Sequence, residues 1–283
     1  MADSQNLHLL YKNLGETPHE VILRWKKEHP EYENVPMTYA GRLDPMAEGL
    51  LLVLSGDGVM EKDKYLDLPK TYEFEILWGF ETDTLDLLGL VEENSFDSHL
   101  SQSTHNFGAQ NLLALGSTAS ERLFSRNEST NFPAAPQLKE YFNKGVGKSE
   151  QIYPVYSSRP VNGKSLFQWA REGRLSEIDI PKHDVELYQA EYISRRSISN
   201  SELLADIKNK VGLVKGDFRQ KEIVEKWEKV LSDSKDEEFT IDKIKIVVSS
   251  GFYVRQFVSD LASSFDTKAV TFHIKRTRIG EYC

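Results

Sequence analysis

Three side chains in this sequence combine a reactive type with a setting that could use it. Asp44 stands in the turn-rich stretch Gly41-Arg42-Leu43-Asp44-Pro45, just ahead of the apolar run Leu50 to Leu54. A turn before a buried strand presents its side chain at the rim of a rigid sheet, where catalytic groups are often held. The same Asp-Pro pair can also do no more than shape a turn. Tyr72 begins an alternating run, and an aromatic at a strand start can stack on a flipped nucleobase or simply pack. Arg255, in Gly251-Phe252-Tyr253-Val254-Arg255, falls in the first turn of a predicted helix. A cation there opposes the helix dipole, which favours a carboxylate partner over plain solvation. Such chemistry would run without a metal. Cys283 is the single cysteine, and the seven histidines are scattered without ligand spacing.

These groups need elements to hold them. Thr17-Pro18-His19-Glu20 carries an N-cap, a helix-opening proline and a capping-box glutamate ahead of Val21, Ile22 and Trp25. Leu50 to Leu54 suits a buried strand, and Tyr72, Phe74, Ile76 and Trp78 alternate as a half-buried one. Ser165 to Arg174 reads as a helix closed by Gly173, and Ser201 to Leu231 as two more. Ile244, Ile246 and Val248 alternate as a strand, with the acidic stretch Asp233 to Glu238 as the connector before it. Val254, Phe257, Leu261 and Phe265 return to helical spacing, and Val270, Phe272 and Ile274 make a last strand. Residues 94–136, rich in Ser, Thr, Asn and Gln, read as a mobile polar insertion with one short helix near Leu112 to Leu115. The sum is an α+β chain around a mixed or antiparallel sheet.

At 283 residues and 39% apolar composition the chain can bury a sizeable core. It carries no run of 18 apolar residues and no secretory leader, so a membrane or secreted protein is not expected. The net charge is −9, but unevenly spread. Residues 81–97 hold only acids, whereas 268–280 hold Lys268, Lys275, Arg276 and Arg278 with no acid. A local basic face on an acidic molecule is compatible with both signs.

The order of the signals is more specific than any one of them. Ala40-Gly41-Arg42-Leu43-Asp44-Pro45-Met46-Ala47-Glu48-Gly49-Leu50-Leu51 resembles the catalytic-aspartate motif of the TruB family of pseudouridine synthases. Lys70-Thr71-Tyr72 is similar to its K-x-Y, and Thr82-Asp83-Thr84 with Asp86 to its T-D-T-x-D. Gln151 to Ser158 and Gly163-Lys164 resemble its Q-x-P-P-x-Y-S-A and G-K elements. Gly251 to Arg255 is similar to its G-x-Y-x-R, and Arg276 to Gly280 to its closing R-T-x-x-G. Two departures stand out. Tyr39 and Ala40 occupy the places of the family's usual His-Thr pair, and Arg42 is closer to the G-R-L-D of ribosomal-RNA synthases. Many relatives continue into a PUA domain, and the expectation here is a single catalytic domain over 1–283 without one, with insertions at 94–136 and 195–240.

The resemblance implies a pseudouridine synthase core and the cofactor-free isomerisation of the tRNA T-loop uridine. Asp44 would be its nucleophile or base, Arg255 the partner that keeps it ionised, and Tyr72 the stacking group that also helps strip the C5 proton. It assigns substrate contacts to Tyr253, Arg42, Tyr39, Lys70, Asp83, Tyr156, Lys164 and Arg171. Lys144, Lys148, Arg159 and Arg174 join the last two as candidate phosphate contacts. The acidic total predicts modest affinity that falls steeply with salt. The expected partner is the tRNA T-arm, bound by a cytoplasmic monomer with no metal and no membrane. The same chemistry on ribosomal RNA, or a tRNA-folding module that isomerises nothing, are the rival readings.

Overall fold

The computed structural model describes residues 6–92, 132–232 and 237–283. The chain opens with β1 (Leu7–Lys12) and α1 (Pro18–Glu28), whose Thr17 and Glu20 close the expected capping box. Next come β2 (Met37–Ala40), β3 (Ala47–Ser55), α2 (Lys62–Leu66) and β4 (Lys70–Trp78). After them stand α3 (Ala135–Lys144), β5 (Gly147–Ile152), the short pair β6 (Pro160–Val161) and β7 (Lys164–Ser165), and α4 (Leu166–Arg171). The chain closes with β8 (Lys182–Ser199), α5 (Asn200–Leu213), α6 (Gln220–Ser232), β9 (Glu238–Val248), α7 (Val254–Ser264) and β10 (Ala269–Ile279).

One mixed eight-stranded sheet runs β1-β3-β10-β4-β9-β8-β5, with β2 added to β3. β10 lies parallel to β3 and antiparallel to β4. The close approach of β3 to β10 requires Gly49. Its φ is 114°, and a Cβ there would overlap the backbone of Arg276. Helices cover both faces of the sheet. Tyr72, Phe74, Ile76 and Trp78 of β4 share a core with Val254, Val258 and Leu261 of α7. On the other face Leu77 joins Ile207 and Val211 of α5 and Ile223 and Trp227 of α6.

Within the described residues the expected elements are present, with two corrections and one strand that was not expected. The last strand does not keep Val270, Phe272 and Ile274 on one face. A register shift between Thr271 and His273 turns the strand, so Val270 and Phe272 face α5 and α6 while Ile274 faces α7. The helix read from Ser165 to Arg174 is shorter, α4 ending at Arg171. β8, at 18 residues the longest strand, gave no alternating signal because most of its side chains are exposed. The expected insertion at 94–136 lies outside the described residues as far as 131, its helix near Leu112 to Leu115 included. So do residues 233–236 of the acidic connector.

Candidate active site

A cavity of about 300 Å³ opens beside the junction of β3, β4 and β10. Ala47, Tyr72, Ile274 and Arg276 come to it from the three strands. Residues 251–255, leading into α7, line it from the side, and Gly41 to Asp44 and Ser157–Ser158 complete it. Tyr72 and Arg276 are register partners on neighbouring strands, which is why both reach the same cavity.

Asp44 and Arg255, 211 residues apart in the chain, meet here. Arg255 donates from Nε to Asp44 Oδ2 at 2.8 Å, and its Nη2 stands 2.8 Å from the same oxygen. The Arg255 side chain is 4% exposed and that of Asp44 38%. The guanidinium is thus a buried fixture, while the carboxylate it holds opens toward the cavity. Two carbonyls complete the cradle, Thr84 O accepting from Nη1 at 2.6 Å and Tyr156 O from Nη2 at 3.3 Å. Asp86, buried 3.6 Å from Nε, is the second counter-charge. Burial works against the Arg255 charge, but Asp44 and then Asp86 outweigh it and hold its pKa above the ordinary arginine value. The same burial pushes Asp86 up despite the pull of Arg255. Asp86 keeps its place by accepting from the Thr84 hydroxyl at 2.7 Å and the Leu88 N–H at 2.9 Å. The cation that opposed the helix dipole in the sequence therefore has its carboxylates.

Tyr253 lines the cavity as the N-cap of α7, and burial followed by the Asp44 charge raises its phenol. Gln151 fixes its backbone from both sides, accepting from Tyr253 N–H at 2.8 Å and donating to Tyr253 O at 3.0 Å. Lys70 sits at the base of the cavity and donates to Leu66 O, its ammonium lowered to about 8 by burial and then by Arg276. Arg42 lies at the rim, with Nε 3.4 Å from the Tyr39 hydroxyl.

The cavity therefore gathers Asp44, Tyr72, Arg255, Tyr253, Arg42 and Lys70 of the expected residues. Tyr39, Asp83 and Tyr156 stand outside its lining. Lys164 and Arg171 also lie outside it. Lys164 is paired with Glu172 at 2.6 Å, and Arg171 donates to Asp217 O at 2.6 Å. Of the other candidate phosphate contacts, Arg174 is paired with Glu172 and Glu177 and Lys144 with Glu140. Arg159 lies over the Tyr153 ring, and Lys148 is exposed on β5.

Three residues that shape the site were given no role in it by the sequence reading, although two of them fall within the quoted motifs. Arg276, 1% exposed, donates to Leu50 O at 2.8 Å, Arg42 O at 3.1 Å and Gly41 O at 3.4 Å, so it holds the Asp44 turn from β10. Lys12, fully buried, donates to Ala47 O at 2.5 Å on the other side of that turn, and burial lowers it to about 8. Gln151 is the third. For Arg276 a signal existed, since it falls two residues after Ile274, in phase with an inward-facing position. Among the described residues no group of three or more metal-ligating side chains converges, and no helix is long and apolar enough to cross a membrane.

Comparison with known proteins gives a consistent picture. The family model described as TruB family pseudouridylate synthase (N terminal domain) matches residues 32–113 and 113–213. The chain is 30% identical over 268 residues to the tRNA pseudouridine synthase B of Caldanaerobacter subterraneus subsp. tengcongensis, covering 95% of this chain and 66% of that one. It is 22% identical over 273 residues to the protein of the same name from Oceanobacillus iheyensis, covering 96% and 65%. The chain thus spans just under two thirds of the length of these relatives. Its fold is similar to that of a chain in the crystal structure of a Cbf5-Nop10-Gar1 complex, with a TM-score of 0.51 and 13% identity, covering 98% of this chain and 49% of that one.

Proposed function

The chain belongs to the TruB family of pseudouridylate synthases, and from that premise we propose that it isomerises the T-loop uridine of tRNA, uridine-55, to pseudouridine. The observation that carries the reading is the Asp44–Arg255 pair, a cavity-facing carboxylate held by a buried, fully anchored cation.

Uridine and pseudouridine are isomers, so the reaction needs neither oxidant nor energy source. The N1–C1′ bond breaks, the uracil turns, C5 bonds to C1′, the C5 proton leaves and N1 gains one. Asp44 starts this sequence by adding to C1′ or by taking a ribose proton, and both routes need the ionised carboxylate. Arg255, 2.8 Å away, pairs with that carboxylate and aims it by geometry. Tyr72, which lines the cavity, stacks on the uracil, and its hydroxyl removes the C5 proton in this reading. Tyr253 is a further pocket contact. Lys70 and Arg42 meet the polar edges of the nucleotide.

The target base must leave its stack to enter, at a cost of about a few kcal/mol. Stacking in the cavity and contacts to the T-arm backbone offset it. Tyr39, Asp83, Tyr156, Lys164 and Arg171 belong to the outer part of this reading. Tyr156 supplies a carbonyl to the Arg255 cradle and Asp83 adjoins Thr84, which supplies the other, whereas Tyr39 stands by the rim and Lys164 and Arg171 must exchange present partners for phosphate. We read the chain as a synthase domain with insertions at 94–136 and 195–240, acting as a cytoplasmic monomer on tRNA.

Chemical mapping of pseudouridine in tRNA and in ribosomal RNA fragments tests the proposal. Wild-type protein should mark the T-loop uridine and Asp44→Asn should not. A mark on ribosomal RNA alone would overturn the substrate, and tRNA bound but unmarked would overturn the activity.

A further inference from the structure

Arg219 lies in the turn between α5 and α6, far along the chain from the motifs of the site. Its backbone sits at φ 64°, a left-handed conformation that costs a non-glycine residue roughly 1–2 kcal/mol and must be held by other contacts. Two side-chain contacts hold it. Nη1 donates to Asp83 Oδ2 at 2.8 Å, and the guanidinium lies over the Tyr156 ring at 5.1 Å. Asp83 is fixed on its other oxygen by the Leu90 N–H at 2.8 Å.

The partners of Arg219 coincide with the anchors of Arg255. Thr84, next to Asp83, and Tyr156 itself supply the two carbonyls that accept from the Arg255 guanidinium. One half-exposed arginine therefore ties together the two segments that cradle the buried one. The hairpin also reaches the Asp44 turn from another side. The end of α5 packs so closely on Gly15 that a Cβ there would come within 2.5 Å of Leu213 O. Gly15 N–H in turn donates to Pro45 O at 2.9 Å, directly beside Asp44.

We propose that Arg219 is a positioning residue for the reaction, and that the α5–α6 hairpin braces the Asp44–Arg255 pair. The inference rests on the reading of Asp44 as the reacting carboxylate. The Arg219 and Asp83 side chains are 23% and 32% exposed, so the pair itself is a minor source of global stability. Its leverage is geometric, because a misplacement of about 1 Å in a catalytic group can cost ~100-fold in rate.

The full chain with Arg219→Gln, Arg219→Lys and, as a control on the exposed face of α6, Lys221→Gln provides the test. Two readouts are needed: single-turnover pseudouridine formation on tRNA beside the dissociation constant, and the nitrogen-15 NMR signal of the Arg255 Nε–H. Arg219→Gln should slow turnover by about 10-fold or more with affinity changed less than ~2-fold. Arg219→Lys should recover part of the rate, its charge kept and its planar fork lost. The Arg255 signal should shift in the Gln variant and stay in place in Lys221→Gln. A wild-type rate in Arg219→Gln, a loss confined to affinity, or an equal loss in Lys221→Gln would overturn the proposal. Should wild-type protein modify no RNA, the functional reading fails and the Arg255 signal decides the brace alone: unmoved in Arg219→Gln, it is refuted.

Discussion

Asp44→Asn and Arg255→Gln break the same ion pair from its two ends, and they should fail in different ways. Asp44 is 38% exposed, so its attraction to Arg255 is partly screened by water. Losing it should cost up to about 1 kcal/mol of stability, while Arg255 keeps Asp86 at 3.6 Å and its two carbonyls. Turnover should nonetheless fall by about 10⁴-fold, since an amide neither adds to C1′ nor takes a proton. Arg255→Gln instead leaves Asp86, with 7% of its side chain exposed, as a buried carboxylate without its cation. Breaking a buried pair in this way costs about 3–5 kcal/mol. The pH dependence follows from Asp86. Burial already holds its pKa above the ordinary carboxylate value, and removal of Arg255 raises it further. A carboxyl whose folded pKa exceeds its unfolded one takes up a proton more readily when folded. The cost is therefore fully present above the raised pKa and relieved as pH falls through it. Urea unfolding of both variants at mildly acidic and mildly alkaline pH, beside single-turnover rates, checks this. The Arg255→Gln deficit should be largest at the alkaline end and shrink toward the acidic one. An Arg255→Gln protein as stable as wild type at alkaline pH would refute the argument, as would an Asp44→Asn protein that loses as much stability as Arg255→Gln.

Other consequences can be checked as directly. Burial and the Arg276 charge lower Lys70 from an ordinary 10.5 to about 8, so the folded state releases that proton first and stability should rise with pH across that interval. Lys70→Met should remove that rise, worth at most about 3 kcal/mol, and parallel stability–pH curves for the two proteins would contradict it. Gly49→Ala places a Cβ against the Arg276 backbone at a φ of 114°, and should lower stability by about 2–4 kcal/mol in thermal or urea unfolding. Tyr72→Phe keeps the ring and should bind tRNA normally while turning over about 100-fold more slowly; Tyr72→Leu should also lose about 1–3 kcal/mol of binding. Full turnover by the Phe variant would remove the hydroxyl from the reaction.

What could be read from the sequence, and what could not, divides along the range of the forces involved. The Thr17 capping box, the β4 alternation and the α7 spacing are local, and each produced its element. The meeting of Asp44 with Arg255 is not local; it was legible only through the order of motifs. β8 escaped because an exposed, polar strand lacks the alternation that marks a half-buried one. The turn of β10 at its register shift escaped because strict alternation has no way to register an extra residue. The surface cations are hard to read for an electrostatic reason. A lysine or arginine in sequence carries no mark of its neighbour, and here Glu172 sits with both Lys164 and Arg174. Arg276 shows where a better signal lies. A charge in phase with an inward-facing apolar residue such as Ile274 must lose water on folding, and that loss is tolerable only with well-placed acceptors. Its acceptors are the carbonyls of Gly41, Arg42 and Leu50 on either side of Asp44, so a cation that cannot remain solvated is one that shapes the Asp44 turn.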